Sequence, residues 1–300
     1  MDGALGTELE RRSADVYGKA WSALAVENEA DVIVDIHVDY IKAGAKLHIA
    51  NSFSLGRHVL ETVGHERDFE VLNRTSVKLL NRAIDKTGFN RNEFWVVGSV
   101  STFFTNSDRS LLPDNEILFK NCVDQLEILT DEGIDAIALE MLADYSITGS
   151  LLRAAEQFDL PIIAGITCEW SPDGVSVETQ ARSMGLDPIL LDDLIPQLIQ
   201  LVKSDQVIFA VMHTEPDVTD AALAILKRYW KGPIAAYPNS GRFTTEQGIA
   251  LDFDSVQSAD QFSEAASNWI AEGVNIVGGC CGIGPEHIAS LHKVMKLPGS

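Results

Sequence analysis

Strand-like and helix-like segments alternate along this chain almost without interruption, and that alternation restricts the fold more than any other feature. Seven short apolar runs stand out: AKLHIANSF (45–53), WVVGSVS (95–101), IDAIALEM (134–141), PIIAGITC (161–168), VIFAVMH (207–213), PIAAYPN (233–239) and VNIVGGCC (274–281). Their length and β-branching mark them as buried strands. Between them lie stretches of helical periodicity, such as DNEILFKNCVDQLEILTDEG and SITGSLLRAAEQF. Gly133 and Gly273 fall where a helix must end before the next strand, a position that favours glycine. With one further stave at the extreme N-terminus there are eight βα units in 300 residues. That is the size of a TIM-type (β/α)8 barrel, expected here as a single domain over 1–300. A doubly wound sheet shares the alternation but usually carries a Gly-rich phosphate turn after its first strand, and none follows here. Only Met1 precedes Asp2, so the first stave is expected to be very short or to lack its opening residues.

Composition narrows the function classes. The chain is 46% hydrophobic and 22% charged, as a well-cored α/β protein should be. A formal charge of −21 repels phosphate backbones and anionic lipid, so neither a nucleic acid nor a membrane is an expected partner. No apolar run approaches the roughly 20 residues that span a bilayer, and the N-terminus lacks a secretory apolar core, so the expected location is cytoplasmic. Four cysteines in a chain of this length do not make a disulfide scaffold. No coiled coil or other interface signal fixes an oligomeric state.

Barrel chemistry gathers at the C-terminal ends of the strands. The residues ending these runs are Asp2, Asn51, Ser99, Ser101, Glu140, Cys168, Glu169, His213, Tyr237, Asn239, Cys280 and Cys281. Catalytic Zn2+ takes three protein ligands and keeps a fourth position for substrate, and His213, Cys280 and Cys281 supply that number and type. Adjacent strand residues face opposite ways, so both thiols reach one ion only if the chain turns there, which Gly278, Gly279 and Gly282 allow. The competing reading is two small buried hydrophobes at a tight strand end. Glu140 follows the apolar DAIAL, where an unpaired carboxylate is costly, which makes it a candidate for gripping an ammonium group or for a buried salt bridge. His37, His48, His58, His65, His287 and His292 are placed on helices or loops as structural or solvated residues. Cys122 and Cys168 read as core packing.

The segments MDGALGTELERR, ANSFSLGRHVL, ALEMLAD, SPDGVSVETQA, AAYPNSGRF and GVNIVGGCCGIGPEHI resemble, in order, the homocysteine S-methyltransferase family. The resemblance covers nearly the whole chain, and GGCCG followed by PEHI is its most specific part. It implies a (β/α)8 barrel and a zinc-bound homocysteine thiolate as nucleophile. It implies Cys280 and Cys281 as paired zinc ligands, and Asp2 and Glu140 as holders of the homocysteine amino group. Asn51, Tyr237 and Asn239 would line the same pocket. One position departs from the family: its third ligand is a cysteine in G-V-N-C at the end of the sixth strand, where this chain reads AVMH with His213. Histidine is a competent zinc ligand.

The implied reaction moves a methyl group from a small onium donor, S-methylmethionine-like or betaine-like, to homocysteine, giving methionine. Trp21, Phe53, Phe103, Phe104 and Trp170 are candidate walls for a cationic donor. Two alternatives remain open from the residues alone: a zinc hydrolase on the same barrel, and a metal-free amino-acid binder that has lost the third cysteine.

Overall fold

The computed structural model describes residues 1–14, 16, 20–102, 113–182, 185–244 and 250–296. The strands are β1 (Leu47–Ile49), β2 (Trp95–Ser101), β3 (Ala136–Leu142), β4 (Ile162–Trp170), β5 (Val177–Thr179), β6 (Val207–Met212), β7 (Ile234–Tyr237), β8 (Arg242–Thr244), β9 (Ala250–Asp252) and β10 (Ile276–Val277). β1-β2-β3-β4-β6-β7-β10 form one curled sheet whose neighbours are all parallel, with helices on the outside. All seven sequence runs are strands of this sheet, and the fold is the expected TIM-like α/β barrel.

The eighth stave is two residues of N-terminal chain. Asp2 N donates to Leu47 O at 2.8 Å, while the Met1 ammonium donates to Val277 O at 2.9 Å and Gly279 N to Asp2 O at 3.1 Å. Met1–Asp2 therefore bridges β1 and β10 by backbone hydrogen bonds without registering as a strand. Two hairpins were not legible in the sequence. β4 runs on to Trp170 and pairs antiparallel with β5, and β8 pairs with β9 as a separate ribbon. Gly133 and Gly273 both have positive φ, +85° and +96°, one residue past a helix C-cap, as expected.

Strand alternation sorts side chains into two layers. Ile137, Leu139, Ile162, Phe209, Val211 and Ile234 point outward into the large core beneath the helices. Val97, Ala136, Ala138, Ile163, Ala210, Met212, Ala235 and Tyr237 form a second cluster in the barrel lumen. Small lumen residues leave the outward positions to the bulky ones. The same phase carries Ser99 after Val97, and Glu140 after Ala136 and Ala138, into the lumen at its C-terminal end. His48 lies on β1 with the opposite phase, buried against Phe94 and the helix Ala30–Ala43, and so is not on a helix or loop. Among the described residues no helix is long and apolar enough to cross a membrane.

Candidate metal centre and substrate pocket

β10 ends at Val277, and the chain turns sharply through Gly278–Gly284 into the helix Pro285–Met295. Gly282 has φ +84° and packs directly on the Ser240 backbone, where a Cβ has no room. The turn is pinned at each residue: Cys280 N donates to Pro238 O at 2.8 Å, Cys281 N to Asn239 Oδ1 at 3.1 Å and Gly282 N to Thr7 Oγ1 at 3.1 Å. The turn thus breaks the strand alternation that would send two adjacent thiols to opposite faces.

His213 reaches the same point from β6. By alternation it would point away from the lumen-facing Met212, but its backbone is left-handed, φ +44°. Strain of this kind in a non-glycine residue costs about 1–3 kcal/mol and is retained where the geometry is needed. The result is a compact triangle: Cys280 Sγ is 3.5 Å and Cys281 Sγ 3.7 Å from His213 Nδ1, and the sulfurs are 3.9 Å apart. A tetrahedral Zn2+ with bonds of about 2.3 Å to sulfur and about 2.1 Å to nitrogen requires separations of about 3.6 Å and about 3.8 Å. The donor set fits the ion in type and spacing. The three donors also shift one another's protonation. The adjacent Cys281, and then burial, hold the Cys280 thiol well above its ordinary value. Burial disfavours the His213 imidazolium, yet the Cys280 sulfur and the Glu215 and Glu140 carboxyls outweigh it and raise the ring.

Glu140 stands on the lumen side of β3, where the β3–β4 register shifts between Leu139 and Leu142 and Met141 has φ +60°. Met141 N donates to Met212 Sδ at 3.2 Å, which ties this bulge to the strand that carries His213. The Glu140 carboxylate accepts a short hydrogen bond from Ser99 Oγ. The buried Tyr237 hydroxyl lies beside it, without an ordinary hydrogen bond to any described residue. Burial raises the Glu140 carboxyl to about 7, a lift strengthened by Asp2 and opposed by Ser99 and His213. Asp2, also buried, accepts from Ile49 N at 3.0 Å through Oδ2.

The remaining expected site residues are committed to neighbours. Asn51 binds Ser22 twice, and Asn239 spends its side-chain oxygen on the cysteine turn. Trp21 and Phe53 meet edge-to-face with centroids 5.7 Å apart. Trp170 Nε1 donates to Asp217 at 2.8 Å, and Glu169 pairs with Arg182 at 2.8 Å, both on the β4–β5 extension. Phe103 and Phe104 lie outside the described residues. Cys122 and Cys168 are buried thiols pushed up to about 12 by desolvation, consistent with packing. Ser99, which the sequence offered only as a strand end, is the partner of Glu140. Its position two residues after the lumen-facing Val97 was the available signal.

Two buried groups make opposite contributions to the stability of the metal-free protein. Burial lowers His37 to about 4, so its stabilising effect is lost as pH falls from about 6.5 through 4. Glu140, raised to about 7, acts in reverse: stability falls as pH rises from about 4.5 through 7. Each effect amounts to a few kcal/mol, and between pH 5 and 6.5 they largely cancel. Urea unfolding of the metal-free Glu140→Gln protein should show stability rising over that interval, and His37→Phe should show it falling. Parallel profiles for the two variants would contradict these assignments.

A parallel barrel with an imidazole and two thiols converging at its C-terminal rim, beside a buried carboxylate, has the form of a metal-dependent barrel enzyme. The chain belongs to the homocysteine S-methyltransferase family, whose model matches residues 1–295. It is 26% identical to homocysteine S-methyltransferase 2 of Arabidopsis thaliana, covering 98% of this chain and 91% of the relative. It is also 26% identical to a selenocysteine Se-methyltransferase of Brassica oleracea var. italica, covering 98% and 87%. Among solved structures, the metallated form of the homocysteine methyltransferase MmuM from Escherichia coli superposes with a TM-score of 0.76. The two share 25% identity, over 98% of this chain and 95% of that one.

Proposed function

We propose that the protein is a zinc-dependent methyltransferase that moves a methyl group from a small onium donor to the sulfur of homocysteine, giving methionine. The observation that carries this reading is the triangle of His213 Nδ1, Cys280 Sγ and Cys281 Sγ, 3.5–3.9 Å on each side, at the rim that also holds Glu140. Zn2+, when bound, supplies the positive charge that lets an alkyl thiol of pKa about 8.5 lose its proton near neutrality.

The chain's own groups bind and orient. Glu140 and Asp2 form an acidic pair for the acceptor's ammonium group, and the substrate charge draws the Glu140 proton off. Ser99 Oγ holds the Glu140 carboxylate from one side. Asn239 Oδ1 fixes the cysteine turn by accepting from Cys281 N. Transfer forms a carbon–sulfur bond to the acceptor as the methyl–heteroatom bond of the donor breaks, and the electron pair leaves with the now neutral donor. Holding the two in line is the protein's main contribution. The test is metal analysis of the purified protein with a methyl-transfer assay of homocysteine against S-methylmethionine and betaine. About one zinc per chain with methionine formed from one donor is expected; metal-free protein or no product with either donor would reject the reading.

His213 makes the ligand set one charge unit more positive than three thiolates would. The His213→Cys variant is expected to keep its metal and to move the acid limb of the pH–rate profile upward, because an added thiolate weakens the pull on the acceptor's proton. An unchanged profile and unchanged preference between thiol and selenol acceptors at equal metal content would remove this role.

A further inference from the structure

A non-glycine residue keeps a left-handed backbone such as that of His213, φ +44°, only where its surroundings fix it. The fixing is visible in the two peptide planes that flank its Cα, whose rotations are the φ and ψ of the residue. The first plane is pinned at both ends: Met212 O accepts from Thr214 Oγ1 at 2.6 Å, and His213 N donates to Tyr237 O at 3.3 Å. In the second plane, His213 O lies 3.0 Å from the Thr167 hydroxyl. One residue further on, Thr214 O accepts from Asn239 N at 3.0 Å, and the same Asn239 holds Cys281 N through Oδ1. The histidine limb and the cysteine limb of the triangle thus share one anchor.

The register of the sheet explains what Thr214 adds. β4 and β6 pair from Ile162↔Val207 to Thr167↔Met212, and Ile162 N donates to Gln206 O at 3.0 Å. Such rungs recur every second residue in a parallel pair, so the series leads to one from Cys168 N to Met212 O. Here Cys168 N donates instead to Thr214 Oγ1 at 3.0 Å, and that hydroxyl donates to Met212 O at 2.6 Å. Thr214 is 1% exposed, and its hydroxyl accepts once and donates once inside the rung. Cys168 N and Met212 O are both satisfied without meeting. β6 can therefore end at Met212, and His213 turns to the thiols rather than on to the outer face.

We propose that Thr214 is a positioning residue for the metal: its hydroxyl, inserted between Cys168 N and Met212 O, ends β6 so that His213 Nδ1 faces Cys280 and Cys281. The inference rests on the reading of His213 as the third ligand. Without the hydroxyl the direct rung can close, β6 gains a residue of regular strand, and alternation returns the imidazole to the outer face.

The test measures zinc affinity by chelator competition in the substrate-free protein. Thr214→Val, which keeps the shape and deletes the hydroxyl, should weaken binding about 10–100-fold, and Thr214→Ser should restore it to within about threefold of wild type. The visible spectrum of the cobalt-loaded Thr214→Val protein should move toward that of His213→Ala, as the imidazole leaves the ion. In the His213→Ala background, Thr214→Val should have no further effect on zinc affinity, because it acts through a ligand already gone. A general loss of packing would weaken both backgrounds alike. If Thr214→Val does not fold, Thr214→Ala removes the same hydroxyl with no branched side chain to place in the rung, and carries the same comparisons. Wild-type affinity in the folded variant, or an equal loss with and without His213, overturns the inference. A His213→Ala protein that binds zinc as tightly as wild type rejects the ligand reading beneath it.

Discussion

Cys280→Ser and Cys281→Ser are each expected to purify without bound metal and to lower methyl transfer at least about 10³-fold, since losing a direct ligand exceeds the 10–100-fold cost of losing an outer partner. Serine keeps the size of the side chain but offers a hydroxyl that does not ionise at neutral pH. The fold should survive the change. Cys281 sits in a turn whose backbone accepts from Ser240 N at 2.7 Å through Cys281 O and donates to Asn239 Oδ1 at 3.1 Å through Cys281 N, and neither bond involves its sulfur. The melting temperature of the metal-free variant should therefore stay within a few degrees of that of metal-free wild type. Cys122→Ala is the internal control, because that thiol sits on the outer helix Asn115–Asp131, buried in the core and pushed up to about 12 by desolvation. It should lose some stability, on the order of 1 kcal/mol, and keep its metal. Metal content by elemental analysis and initial rates check both arms. A Cys281→Ser protein that retains stoichiometric metal and activity would place the chemistry elsewhere.

The barrel and most of its rim were legible because strand alternation is a local property. WVVGSVS predicts β2 residue for residue, and the phase that buries Val97 also delivers Ser99. The three metal-ligand candidates were legible by residue type and by their place at strand ends, and the structure brings them within 3.9 Å. What lay beyond the sequence was anything that depends on a broken local rule. Alternation assigns His213 to the wrong face, and only its left-handed backbone reverses that. Asn239 fell in the right segment, but its side chain is turned to Cys281 N, 42 positions away. Nor does the sequence show that His48 and His37 lie within 4.8 Å of Asp2, which happens only because the N-terminal residues bridge β1 and β10. The β4–β5 and β8–β9 ribbons carry no strong periodic signal, being three-residue pairings outside the barrel.

Glu140→Gln is expected to cut kcat/KM for homocysteine by about 10², with the KM for the methyl donor little changed, because removing one partner of a buried charge pair costs about 2–5 kcal/mol. Glutamine can still accept the Ser99 hydrogen bond, so the loss isolates the charge rather than the shape. The pH dependence sharpens the test. The free carboxyl is lifted to about 7 by burial, so below that pH the incoming ammonium group must displace a proton before it can pair with a carboxylate. Homocysteine binding should weaken more steeply as pH falls below about 7, by up to about a further tenfold per unit beyond what release of the thiol proton causes, and this added steepness should be absent in Glu140→Gln. Ser99→Ala acts in the opposite sense to a charge deletion. It removes the donor that lowers the carboxyl, so the midpoint of the wild-type profile should move upward while the plateau at high pH stays close to wild type. Steady-state KM for homocysteine between pH 5.5 and 8.5 in the three proteins is the measurement. A sloping profile in Glu140→Gln identical to that of wild type would assign the titration to another group and remove Glu140 from ammonium recognition.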